Sequence, residues 1–144
     1  MIHSNAVNIC VLIVDDDHYF NANVLGYALE RRGFEVLHAY TVKEFEDHWE
    51  SADVIVLDIR LPDKEGEPID PWGVLKALKR LQDAHSEATP SQLGRCIIRS
   101  AHTQEDSKRA GVPLPTCLKW FGPDAPFSVL LEAVRSATEG GGQP

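Results

Sequence analysis

Four short apolar runs, each leading into polar groups, constrain this chain more than any other feature: residues 9–14 lead into Asp15 and Asp16, 54–57 into Asp58, 96–98 into Ser100, and 116–118 into Lys119. Runs of this length, alternating with helical patterns, read as parallel strands buried on both faces. In an open α/β sheet the ligand sits beyond the carboxyl ends of the strands. The polar groups are therefore expected to meet in one crevice.

With 144 residues the chain has the size of one domain, long enough to cover a five-stranded sheet on both faces. A single domain is expected over 1–144, with its core over about 8–138 and a disordered tail over 139–144, EGGGQP. Fourteen Lys and Arg against twenty-two Asp and Glu leave a net charge of -8, which argues against direct binding of nucleic acid or an anionic membrane. Proteins are the expected partners. MIHSNAVN has no basic-then-apolar layout and no apolar run reaches spanning length, so a cytoplasmic protein is expected. Cys10, Cys96 and Cys117 lie in strand-like runs without metal-ligand spacing and read as small buried hydrophobes.

Residues 18–32 carry Tyr19, Phe20, Val24, Leu25, Ala28 and Leu29 at helical spacing, closed by Gly33. A second strand is expected over 34–38, then a helix capped by Thr41 with Glu44 three residues on, a capping-box spacing. After Asp58, IRLPDKEGEPIDP reads as a long loop, and Trp72, Val74, Leu75, Leu78 and Leu81 resume a helix. Residues 85–94 read as a surface loop before a strand over 95–99. A fourth helix over 103–110 is expected to be short or irregular, because Pro113 and Pro115 cannot continue it. A last helix is expected over 127–137.

VLIVDDD, VIVLDIRLPDKEG, IIRSAH and CLKWF, in that order, resemble the acidic pair, phosphoacceptor loop, hydroxyl strand end and lysine strand end of response regulator receiver domains in two-component signalling. The resemblance spans residues 8–138. It implies a flavodoxin-like, doubly wound sheet in the order 2-1-3-4-5 with helices on both faces. It also implies Mg²⁺-dependent phosphoryl transfer from a histidine kinase or phosphotransfer protein to Asp58, a change in affinity for a downstream protein target, and no enzyme activity beyond self-catalysed phosphorylation and dephosphorylation. Asp15, Asp16 and Asp58, with the backbone carbonyl of Arg60, would hold the ion through hard oxygens. Lys119 and the Ser100 hydroxyl would stabilise the phosphoryl oxygens, while Arg60 and His102, each two positions beyond a site residue, would tune its lifetime.

The pattern departs from the family in four places, one of them a stretch from Ser100 to Lys119 that is a few residues shorter than usual. Thr116 stands where an aromatic usually precedes the lysine, Trp120 stands where a proline usually follows it, and EPIDPW extends the phosphoacceptor loop over 66–73. Signalling is therefore expected to run through this loop or through altered Ser100 contacts rather than an aromatic switch. A stand-alone receiver is the leading expectation; the alternative is a receiver-like scaffold that binds partners without phosphorylation. An aspartate-based phosphatase would want a second acid two residues beyond Asp58, and Arg60 occupies that place.

Overall fold

The structure, a computed structural model, describes residues 9–85, Leu93 and residues 95–140, with residues 139 and 140 described by backbone only. Among the described residues seven strands form: β1 Cys10–Val14, β2 Glu35–Ala39, β3 Val54–Leu57, β4 Leu61–Pro62, β5 Ile69–Asp70, β6 Cys96–Arg99 and β7 Lys119–Phe121. The helices given by the described residues are α1, a π-helical stretch Tyr19–Gly26 continued by Tyr27–Glu30, then α2 Val42–His48, α3 Gly73–Ala84, α4 Gln104–Arg109 and α5 Phe127–Gly140. Five strands make one parallel sheet in the order β2-β1-β3-β6-β7, the expected topology once the small hairpin β4-β5 is set aside.

Both faces of the sheet are covered. Leu12, Val14, Ile55, Leu57, Cys96 and Ile98 pack with Phe45 and Trp49 of the α2 region and Leu75 and Leu78 of α3. Val11, Ile13, Val54, Val56 and Ile97 point the other way, onto Leu25 and Leu29 of α1 and Leu130 and Val134 of α5. Alternate residues of one strand face opposite sides, so a strand covered twice must be apolar throughout, and this is why the central runs lack polar positions.

Local signals in the sequence operate as expected in several places. Thr41 Oγ1 accepts the Glu44 N–H at 3.0 Å, and Glu44 Oε1 accepts the Tyr40 N–H at 2.7 Å. The fourth helix is short, and Thr103 and Asp106 close its start with a reciprocal capping box that the sequence reading did not single out. Cys10 and Cys96 are buried and Cys117 is half-buried, all three as free thiols.

Three expectations change. The loop extension folds back as the β4-β5 hairpin, with Leu61 opposite Asp70 and Gly66 at φ 84° in the Lys64–Glu67 turn, a left-handed position that glycine adopts without strain. The last helix continues to Gly140, two residues into the segment expected as a tail; residues 141–144 and most of the expected loop 85–94 lie outside the described residues. The last strand begins at Lys119, where it was expected to end. Buried Gln82 explains the shift: its Oε1 accepts the Thr116 N–H at 2.9 Å and its Nε2 donates to the Thr116 carbonyl at 2.8 Å. Thr116 is thus tied to α3, and the ladder to β6 starts at the Leu118 N–H, 2.8 Å from the Cys96 carbonyl. Among the described residues, no helix is long and apolar enough to cross a membrane.

Candidate functional site

Asp15 follows β1 directly, and its backbone is held on two sides. Its N–H donates to the Ala39 carbonyl at 3.0 Å, and the buried Asn21 amide donates to the carbonyls of Asp15 at 3.0 Å, Ile13 at 3.1 Å and Ala39 at 3.3 Å. Asn21 was not singled out in the sequence; its signal is a polar side chain on the apolar face of α1. Asp15 Oδ1 accepts the Asp17 N–H at 2.9 Å, and Asp17 Oδ1 accepts the Phe20 N–H at 3.0 Å at the start of α1.

Asp58 follows β3, with its N–H on the Val14 carbonyl at 2.8 Å and its Oδ1 accepting the Arg60 N–H at 3.0 Å. One carboxylate oxygen from each of Asp15, Asp16 and Asp58 lies within 4.8 Å of the others. Three carboxylates at this separation repel, and burial adds to the effect. Burial, then the Asp58 and Asp16 charges, push the Asp15 carboxyl up to about 7, against the Asp17 N–H and the Arg99 guanidinium. Asp58 is also raised, by burial first and then Asp16, with the Arg60 N–H, Arg99 and Arg60 opposing. A set of hard, mutually repelling oxygens with free lone pairs suits a small divalent cation such as Mg²⁺.

Ser100 follows β6 and is buried, its N–H on the Phe121 carbonyl at 2.9 Å and its Oγ accepting the His102 N–H at 3.0 Å. The hydroxyl proton remains available to donate. His102 rests against Trp72, ring centroids 4.9 Å apart, and its carbonyl accepts the Trp120 indole N–H at 2.9 Å. The side chain of Arg60 is exposed.

Lys119 is not brought to this rim. It is level with Ile97, at the start of β7, where it is exposed and lines a cavity between β7 and α5 with Leu118, Phe121, Val129 and Ala133. The residue that follows β7 beside Ser100 is Gly122, and a Cβ built there would meet nothing within 4 Å. The lysine was assigned to the rim because residues 116–118 look like the strand; Gln82 and the ladder to β6 move the strand three residues on. In its place near the acids stands Arg99, missed because it reads as part of the β6 run, with its guanidinium 4.6 Å from the Phe20 ring centroid.

A doubly wound parallel sheet with three carboxylates clustered beyond its strands defines an open α/β protein whose ligand crevice lies at that rim. This chain belongs to the response regulator receiver domain family, whose profile matches residues 11–112. It is 42% identical over 53 residues to the transcriptional regulatory protein VxrB of Vibrio cholerae, a match spanning 37% of this chain and 21% of that protein. A CheY-like receiver domain protein from Methanospirillum hungatei superposes with a TM-score of 0.62 at 24% identity, covering 93% of this chain and 96% of that one. A Burkholderia pseudomallei response regulator, solved with a phosphorylated aspartic acid and a calcium ion, gives a TM-score of 0.58 at 20% identity over 93% of this chain and 71% of that one. These structural likenesses concern the fold.

Proposed function

We propose that this chain is a phosphoacceptor switch in which Asp58 receives a phosphoryl group from a phosphohistidine on a kinase or phosphotransfer protein. The convergence of Asp15, Asp16 and Asp58 within 4.8 Å carries the reading. Asp58 attacks phosphorus with a carboxylate oxygen; the new O–P bond forms as the P–N bond breaks, and the imidazole, already protonated on its other ring nitrogen, leaves with the bonding electrons as the neutral ring. Asp15, Asp16 and Asp58, with the Arg60 carbonyl, would hold Mg²⁺, which supplies the positive charge that lets three carboxylates and a phosphoryl group share the rim. The Arg60 N–H orients Asp58, and the Ser100 hydroxyl donates to a phosphoryl oxygen. Arg60 and His102 flank the product and set the rate at which water reaches it.

The outcome is read by another protein. His102 couples Ser100 to Trp120 of the edge strand and to Trp72 beside the β4-β5 hairpin, so a changed Ser100 contact reaches two exposed elements. Labelling by a small phosphodonor that requires Mg²⁺ and disappears in Asp58→Asn tests the reading. The position of Lys119 favours the second reading, a partner-binding scaffold that works unphosphorylated. Absence of label with Mg²⁺ bound selects it.

A further inference from the structure

The rim carries three carboxylates, and a phosphoryl group on Asp58 adds further negative charge. One dication leaves that sum negative, so a fixed cation from the chain should meet the phosphoryl oxygens. The last strand does not deliver it. Lys119 is level with Ile97, three positions before Ser100 along the sheet or about 10 Å at strand spacing, and faces the cavity between β7 and α5.

Arg99 is the last residue of β6, the strand paired with β3, whose end carries Asp58. It lies on the sheet face of Ile97, toward α1, and its guanidinium rests on Phe20, which α1 places just after the acidic loop. Its charge acts on both Asp15 and Asp58. Among the described residues, no carboxylate lies within ion-pair distance of it. The ring beneath steadies the guanidinium plane and leaves its N–H fork free for an oxyanion, a geometry that matches phosphate two oxygens at a time. Ser100, the next residue, leaves the strand toward the opposite face by alternation, so the end of β6 offers a guanidinium and a hydroxyl on either side of the end of β3.

We propose that Arg99, in place of Lys119, is the catalytic cation of this site and binds the phosphoryl oxygens as Asp58 becomes phosphorylated; the assignment rests on the phosphoacceptor reading above. The supply of positive charge has moved from the edge strand to the strand beside the phosphoacceptor, and from an ammonium to a guanidinium.

Phosphoramidate and Mg²⁺ provide the test, because in this transfer the Asp58 O–P bond forms as the P–N bond breaks and nitrogen leaves as ammonia with the bonding pair. Arg99→Gln should slow labelling roughly tenfold or more, Lys119→Gln should stay within about twofold of the unsubstituted chain, and Arg99→Lys should recover part of the rate. Mg²⁺ titration supplies the opposing readout: removing a positive charge beside the acids should tighten Mg²⁺ binding in Arg99→Gln by roughly two- to fivefold. Slower transfer with tighter Mg²⁺ binding is a combination that misfolding does not produce. Labelling of Arg99→Gln at the unsubstituted rate, or a loss in Lys119→Gln as large as in Arg99→Gln, overturns the assignment. So does a loss of both labelling and Mg²⁺ uptake in Arg99→Gln that Arg99→Lys fails to restore, which marks a structural arginine. If the unsubstituted chain itself takes no label, the phosphoacceptor reading has failed; if it labels at Asp58 and Arg99→Gln labels as fast, only the Arg99 assignment has.

Discussion

The Trp120 indole donates to the backbone carbonyl of His102 at 2.9 Å, tying the edge strand β7 to the segment that follows Ser100. The His102 N–H in turn donates to Ser100 Oγ at 3.0 Å, so one residue links the hydroxyl to the edge of the sheet. Replacing Trp120 by Phe keeps most of the apolar contact and removes the donor. The expected cost is about 1 kcal/mol in urea unfolding, with the largest backbone amide shifts at Ser100 and His102. Shifts confined to β7 would show that the bond does not transmit.

Arg60 and His102 each lie two positions beyond a rim residue, their backbone N–H groups donating to Asp58 Oδ1 and Ser100 Oγ. Arg60→Ala and His102→Ala are each expected to change the half-life of the proposed acyl phosphate by about threefold, measured as decay of labelled protein after the phosphodonor is removed. Identical decay in both variants would remove these residues from any role in hydrolysis.

Asp15 makes the metal-free protein sensitive to pH. Its carboxyl holds a proton up to about 7 in the folded chain and only to 3.8 in the unfolded one. Between those values the folded state binds more protons, so stability should fall as pH rises from about 4 to about 7 and flatten above. The raised Asp58 carboxyl acts in the same direction. Mg²⁺ should reverse the trend, because its binding requires the ionised acids, and its affinity should grow up to about tenfold per unit of pH below about 7. Denaturation midpoints with and without Mg²⁺ across this range are the measurement; a metal-free midpoint that rises from pH 4 to 7 contradicts it.

Asn21 and Gln82 are buried polar side chains that hold the backbone at opposite ends of the sheet. Asn21→Ala leaves the carbonyls of Ile13, Asp15 and Ala39 without that donor and should cost about 2 kcal/mol. Gln82→Leu should cost a similar amount, about 2 kcal/mol, and should also raise hydrogen exchange at Thr116 and Leu118, where the chain enters β7. A variant of either residue with unchanged stability would show that water satisfies the exposed groups.

Much of the site was legible along the chain because its acids and hydroxyl directly follow strands with little freedom of assignment. A run such as VIVL, buried on both faces, has one reading, and the residue after it emerges at the rim whatever the rest of the fold does. The acidic cluster and the place of Ser100 could therefore be anticipated from spacing, whereas the strand order was implied by the family resemblance. Capping residues behaved similarly, since a side chain three residues from its backbone partner needs no tertiary context.

The last strand obeyed a different rule. Residues 116–121 are ambiguous as a local pattern, and the contact that decides them joins Thr116 to Gln82, 34 positions earlier in the chain. A strand's register follows from what it packs and pairs with, and a shift of a few residues carries every side chain to a new level of the sheet. Sequence alone determined that three carboxylates and a serine would share one rim, because buried strands end where their apolar character ends. Only the tertiary structure decided which cation would join them, because Arg99 and Lys119 differ in register against neighbouring strands, and register is a property of long-range pairing.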